Sequence, residues 1–353
     1  DKEAEKKRRM VLEWQMGIAT YGMTMDIPTW TFRDPKAAEA SNIRSYDDAV
    51  NATKYNNEYW INNREGDLKV LNVLQGGNHA EADHWYDLMK DYCDPDKYDR
   101  PFDGWGMGGQ NMCDVHLILK RLVTLIHDGL LEPGQHDWMH FLGTSKLEWA
   151  CLLTDVQRAI RANHNPHFTI SFDCASPFLA TANGQVYNSI RIEDRGKWSY
   201  QMEPTVDNKK FSKDTRKFGD VVLQEGIHKL WEDSPISERM TIGDVCWYAP
   251  GDLNKVGKEG KTSWDSFSYA LLMGHNVWMH IESVQRANRM YDDGVIPGML
   301  VQETFDRILF RDVVNRVFEQ KDRAKSMAII EQYSKFWDSI KGTRGFTGKK
   351  IVN

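Results

Sequence analysis

Five times between residues 17 and 172, a short apolar run gives way to a loop and then to a stretch with helical spacing. The runs are 17–25, Leu68–Leu74, 102–109, Trp138–Leu142 and Phe168–Phe172; the helical stretches between them are 45–64, 79–92, 111–129 and 145–162. Strands joined by helices rather than two-residue turns do not pair as hairpins. They lie parallel, with the helices packed over the sheet. Five such units in series predict an α/β fold, a (β/α)8 TIM barrel, rather than one βαβ unit. The count falls short of eight. A charged helix over 2–16 comes first, so the opening strand or strands are expected outside this chain, with one more at 241–248. The alternative is a strand hidden in 175–240, a region broken by Pro, Gly, Asn and Lys that reads as a long insertion over the barrel mouth. Residues 264–294, 298–320 and 322–340 read as helices. The expected division is a barrel domain over 1–250 and a helical part over 251–353 that completes and packs on it.

Bulk properties exclude several functions. No run approaches the roughly 20 apolar residues of a membrane span. The charged start, Asp1 to Arg9, is unlike a signal peptide. Five cysteines (93, 113, 151, 174 and 246) form no CxxC pair, which predicts neither a disulfide framework nor a zinc knuckle and fits a cytoplasmic protein. A net charge of −6 gives no global pull toward phosphate, so nucleic-acid binding needs a local patch. Lys209, Lys210, Lys213, Arg216 and Lys217 are the candidate, against the plainer reading of a solvated loop.

In a parallel barrel the C-terminal strand ends share one mouth, where active sites form. Asp26, Gln75, the glycine-rich run 104–109 and Asp173 all belong there. Asp173 ends the strand in His167–Ser176 (HFTISFDCAS), and a carboxylate there can be nucleophile, base, metal ligand or loop cap. A second carboxylate accepts two parallel hydrogen bonds, which matches guanine N1–H with its exocyclic amine and not adenine. A glutamine amide can donate to guanine O6. Glycines let backbone approach a flat ring, and Trp105 and Met107 offer surfaces to pack on it. The remaining carboxylate is free for a sugar carbon, whose oxocarbenium-like transition state an enzyme carboxylate can capture covalently.

Plainer readings stand beside these. Asp26 before Ile27-Pro28 suits a turn, and Gln75-Gly76-Gly77 suits an ordinary βα loop. Gly104 to Gly109 lacks the spacing of a nucleotide cradle and the lysine of a P-loop. Asn163 to His167 precedes its strand and reads as a polar loop on the far face, and His79 and His84 are five apart, off any shared helical face.

Taken together and in order, these segments resemble the tRNA-guanine transglycosylase family, in particular its DNA-modifying relatives (the DpdA type), which exchange guanine for a 7-deazaguanine such as preQ0. Met25-Asp26 is similar to the segment whose aspartate reads the guanine edge. Val73 to Gly77 is similar to V-Q-G-G, Asp103 to Gly109 to G-G-L-A-V-G-E, Phe141 to Gly143 to Y-L-M-G, and Phe172 to Cys174 to F-D-C. Asn183 to Tyr187 resembles N-G-Q-A-F, and Leu272 to Asn276 resembles L-M-T-E-H-N. The resemblance implies Asp173 as nucleophile, with Asp26, Gln75, Gly76, Gly104, Trp105, Met107 and Leu142 binding the base. It implies DNA, alternatively tRNA, and a preQ0-like base as partners, with a homodimer as a further candidate.

The departures carry expectations too. Only Cys246 and His275 match the family's zinc ligands, so no structural zinc and no other cofactor is expected. Ser176-Pro177-Phe178 replaces P-T-R, removing an arginine that meets RNA and favouring DNA. Gly109 replaces a glutamate. The family's D-S-G-G-F strand, which carries a general-base aspartate, finds no counterpart in this chain, so a non-catalytic transglycosylase-like subunit remains a rival reading.

Overall fold

A computed structural model describes residues 2–206, 208–217, 228–229, 234–246, 265–340 and 342. The chain divides into two compact units, Asp1–Thr144 with Leu153–Asp173 and Ile308–Asn353, and Ser145–Leu152 with Cys174–Arg307. The boundary at 250 expected from the sequence lies outside the described residues.

The first unit is built on one all-parallel sheet of five strands in chain order: β1 (Tyr21–Met23), β2 (Lys69–Leu74), β3 (Gly104–Met107), β4 (Trp138–Phe141) and β5 (Thr169–Phe172). Helix α1 (Lys2–Ile18) precedes it. Helices α2 (Pro35–Ser41) and α3 (Tyr46–Asn63) follow β1, α4 (His79–Met89) follows β2, α5 (Val115–His127) follows β3 and α6 (Leu147–Asn163) follows β4. Side-chain oxygens cap four of these helices, with Asp34, Ser45, Asn78 and Asp114 each accepting from a backbone N–H of the first turn. Val70, Leu71, Val73 and Leu74 of β2 and Leu117, Ile118, Leu122 and Leu125 of α5 are all buried. Each such side chain contributes roughly 1.5–3 kcal/mol.

The sheet is curled, a half-barrel; the closed eight-stranded barrel predicted from the sequence is not seen. Two glycines account for the curvature. Residues 104 and 106 of β3 share one face by strand alternation. A Cβ on Gly104 would lie 2.1 Å from the Trp138 carbonyl oxygen, and one on Gly106 would crowd Val73 and Met23. With that face bare, Tyr21 of β1 and Trp138 of β4 meet across the hollow with ring centroids 4.9 Å apart.

The second unit corrects the insertion expected at 175–240. Its start is ordered as helix α7 (Ser176–Ala182) and strands β6 (Gln185–Arg191) and β7 (Ser199–Pro204), which pair antiparallel, with β8 (His228–Lys229) on the other side of β6. The hidden strands are therefore real, but they build a separate antiparallel sheet. The Gly and Asn residues that suggested a loop are the turn itself, with Asn183 closing α7 and Gly184 at φ +65. The strand expected at 241–248 is not formed in its described part, where Thr241 makes one bridge to Lys217 and a turn follows. Helix α8 (Ser266–Asp292) packs on α7 and β6.

The helix expected over 298–320 forms only as α9 (Phe310–Glu319), because its first part instead pairs Val301–Gln302 with Ile308–Leu309 around an exposed turn in which Arg307 has φ +39. The last expected helix breaks at Tyr333 into α10 (Arg323–Gln332) and α11 (Ser334–Ser339).

Candidate functional site

Register brings the strand ends to one edge. Leu74, Met107, Phe141 and Phe172 form a single row across β2 to β5. The residues that follow them, Gln75, Gly108, Leu142 and Asp173, leave the sheet at the same level. This edge is the rim at which the residues singled out in the sequence were expected to meet.

Asp26 reaches the rim from the loop after β1. Helix α3 holds that loop from both sides: Asn56 donates to the Met25 carbonyl, and Thr53 Oγ1 accepts from the Ile27 N–H at 2.9 Å. Gln75, almost fully buried, donates its Nε2 to Asp26 Oδ2 at 2.6 Å. Burial pushes the Asp26 carboxyl up to about 6, against the lowering pull of the Gln75 amide and of its own backbone hydrogen bond. Asp26 and Gln75, paired in sequence reasoning only by their place on strand ends, are thus in direct contact.

The glycine loop enters the rim later than its motif suggests. Gly104 and Trp105 open β3, two rows or more below the edge. Trp105 and Met107 point to the helical side and are fully buried; the Trp105 indole donates to the Leu130 carbonyl at 2.8 Å and packs beside Tyr86. Neither side chain is placed to stack on a ligand at the rim. The backbone that does reach it belongs to Gly108 and Gly109. A Cβ on Gly108 would sit 2.7 Å from Gln75 Nε2, and one on Gly109 (φ +56) would sit 2.4 Å from the Gly76 carbonyl oxygen. Gly76 itself lies at φ +131 against Ala82. Asn111 ties the two loops together by donating to the carbonyls of Gln75 and Gly108.

Asp173 stands at the end of β5 with its side chain 63% exposed. Its Oδ1 accepts from the Gly143 backbone N–H at 3.1 Å, in a turn where Gly143 has φ +70. Leu142, on that same turn, is half-buried and donates its N–H to the Met107 carbonyl. The same Oδ1 lies 3.1 Å from Nε2 of His140, a residue sequence reasoning missed. His140 Nδ1 meets Ser171 Oγ at 2.7 Å, and that hydroxyl also accepts from the Trp138 indole N–H at 2.8 Å. The signal was strand parity: 138 and 140 share a face of β4, and His140 is in register with Ser171.

A second histidine–aspartate pair lies on the loops after β2 and β3. Asp114 caps α5, accepts from Gln110 at 2.9 Å and contacts His79 Nε2 at 2.7 Å. Burial alone would raise its carboxyl, but the hydrogen bonds from His79, Gln110 and the Leu117 backbone outweigh this and hold it below the usual carboxylate range.

The second unit holds the remaining residues singled out in the sequence. Arg216 is closed onto Asp214 by three short contacts, whereas Lys209, Lys210 and Lys213 are exposed and Lys217 is half-buried. His275 is fully buried with Nδ1 on Ser234 Oγ and Nε2 on the Tyr187 carbonyl, and burial pushes it down to about 4. Cys246 donates to the Asn208 carbonyl. Both ring nitrogens of His275 are thus engaged by protein oxygens. A cleft of about 420 Å³, lined by residues such as Glu148, Tyr187, Lys197 and Tyr200, contains none of the residues predicted for the site.

Among the described residues no helix is long and apolar enough to cross a membrane, and no three His, Cys, Asp or Glu side chains gather as a metal-binding group. Compared with known proteins, the chain matches no family model and no curated sequence.

Proposed function

We propose that this chain is a nucleic-acid guanine transglycosylase of ping-pong type, exchanging guanine for a preQ0-like 7-deazaguanine in DNA. The observation that carries this reading is two carboxylates with opposite surroundings on one rim. Asp26 is withdrawn and paired with an amide, which suits a group that reads a ring edge. Asp173 is largely open to solvent at the end of its strand, which suits a group that attacks. Asp26 and Gln75 hold the guanine edge, and the Gly108–Gly109 backbone, in place of Gly104–Trp105, approaches the exocyclic groups. Asp173 bonds to C1′ as the C1′–N9 bond breaks. The bonding pair leaves with the purine, which takes a proton from water; the incoming base later gives its N9 proton to water, bonds to C1′ through N9 and displaces the carboxylate, which keeps the C1′–O bonding pair. The target nucleotide must leave its stack to reach the rim.

DNA is preferred over tRNA because Ser176-Pro177-Phe178 stands where the RNA-contacting arginine would be. Exposed Lys209, Lys210 and Lys213 supply phosphate contacts, and their loss would weaken binding at all sequences alike.

The deciding experiment offers labelled guanine and preQ0 with DNA and tRNA side by side, and traps the covalent adduct. Incorporation into DNA with an adduct on the wild type but not on Asp173→Asn is expected. Incorporation into tRNA alone would overturn the DNA preference; no incorporation into either would overturn the reading itself.

A further inference from the structure

We propose that the cleft of the second unit is a nucleotide site, in which Glu148 accepts from the exocyclic amine of a cytosine-like base and Lys197 meets the phosphate. The cleft lies wholly within that unit, which includes the first turn of α6. Its occupancy can be measured without base exchange, so the inference does not rest on the transglycosylase reading.

Tyr187 of β6 and Tyr200 of β7, on paired strands, form two walls of the cleft. Their ring centroids are 5.3 Å apart and their planes meet at 81°. Tyr200 is backed by His280, whose ring lies nearly parallel to it at 4.6 Å and whose Nε2 is 3.3 Å from the tyrosine hydroxyl. Walls held in this way need little reordering when a ligand enters. A flat ring laid along one tyrosine meets the other edge-on, an arrangement that aromatic systems favour. The volume of about 420 Å³ is in the range of sites that hold ligands of nucleotide size.

Glu148 supplies the specificity. It is 2% exposed and yet lines the cleft. Its Oε1 accepts from the Trp198 N–H at 3.1 Å, and its own backbone N–H is a second donor. No ion pair closes on it among the described residues. An ionised carboxylate accepts up to about four hydrogen bonds, so capacity remains for a ligand. Burial pushes the carboxyl up, against the pull of these hydrogen bonds and of the nearby Lys146 and Lys197 charges. A buried acceptor left short of donors is costly, and a ligand N–H relieves that cost. The same two lysines disfavour a bare cation, so a neutral amine carrying a distant negative charge fits best. The exocyclic amine of cytosine is such a donor, and carboxylates pair with it when they read bases. Uracil presents a carbonyl oxygen at that position, which a carboxylate repels. Lys197 is exposed on the same cleft and makes no ion pair among the described residues, which leaves its ammonium for a phosphate.

Calorimetric titration of the whole chain tests this. dCMP should bind about 10-fold tighter than dUMP, a ligand of the same size with an oxygen in place of the amine. Equal binding of the two, or no binding of dCMP, overturns the proposal. Glu148→Gln keeps an oxygen for the Trp198 N–H and offers an amide N–H to the cleft, so its preference should invert toward dUMP. A folded Glu148→Gln variant with the wild-type preference would make Glu148 structural only and would also overturn it. Lys197→Ala should abolish the tighter binding of dCMP over deoxycytidine; an unchanged difference overturns the phosphate assignment. Two sources carry this chemistry. Oligo(dC) that binds no tighter than dCMP assigns the site to free nucleotides, whereas binding roughly 10-fold tighter assigns it to a unit of single-stranded DNA. Base exchange can fail while these titrations succeed, and the reverse, so the two readings fall separately.

Discussion

The two histidine–aspartate pairs of the first unit are made of the same residues at similar distances, yet they are inverted. In His79–Asp114 the carboxylate is the inner member, 9% exposed, and the imidazole is 25% exposed. In His140–Asp173 the imidazole is the inner member, 17% exposed, and the carboxylate is 63% exposed. Asp114 spends its oxygens on the Leu117 amide, Gln110 and His79, so its lone pairs are committed to the fold. Asp173 accepts from the Gly143 N–H and meets His140 at a strand end that opens to solvent. A contact alone therefore does not mark a reactive group. Which partner faces the solvent separates a cap from a candidate nucleophile.

Substitution of both aspartates should break the symmetry most visibly in activity. Asp173→Asn is expected to lower base exchange by about 10⁴-fold or more, since a covalent path loses its nucleophile. Asp114→Asn should stay within a few-fold of wild type when assayed below its melting temperature. Comparable losses in both variants would erase the distinction drawn here.

Stability should show the reverse order. Asp114→Ala removes a helix cap and two further hydrogen bonds to a buried carboxylate, a cost of about 2 kcal/mol. Asp173→Ala should change stability by less than about 0.5 kcal/mol, as for other exposed positions. Thermal unfolding of the two variants, read against wild type, decides this.

The pH dependence gives a third contrast, between Asp114 and Asp26. A folded pKa below the unfolded value binds protons less readily in the native state, so the Asp114 contribution is present above the ordinary carboxylate pKa and fades as pH falls through the folded value. Asp26 is raised to about 6, so the native state holds its proton more tightly, and stability falls as pH rises from about 4 to about 6. That two-unit shift corresponds to roughly 3 kcal/mol in full, and screening at a half-buried site reduces it to on the order of 1–2 kcal/mol. Denaturant titrations should show Asp26→Asn gaining on wild type across that window; a constant gap would contradict it. The smallest effect is expected at His79→Gln, which keeps a donor near Asp114 and should cost about 1 kcal/mol or less with activity unchanged. Loss of exchange in that variant would draw the outer pair into the chemistry.

Much of this arrangement was legible in the residues. The alternation of apolar runs and helical stretches located all five parallel strands, because parallel pairing forces a crossover helix whose period differs from the strand's. Gln75 and Asp173 sit on the rim because they follow their strands directly, a property of chain order. Trp105 and Met107 were misplaced because motif matching ignores the alternation of faces: Gly104 and Gly106 occupy the hollow, so their neighbours must face the helices. His140 was legible by the same parity but carries no motif. Strands β6 and β7 were not legible, because buried polar residues such as Asn188 and Ser189 break their apolar pattern, and Asn276 on the distant helix α8 pins the Tyr187 and Gln185 backbone.

The two bare positions in β3 also act as a gauge. By letting Tyr21 and Trp138 close over them, Gly104 and Gly106 set how tightly the sheet bends between β1 and β5. Asp26 leaves from the first of these strands and Asp173 from the last. The span between the carboxylate that would read a purine and the one that would attack its sugar therefore depends on this curvature as well as on the loop that α3 holds. One methyl group added far below the rim should alter which nucleosides fit between them.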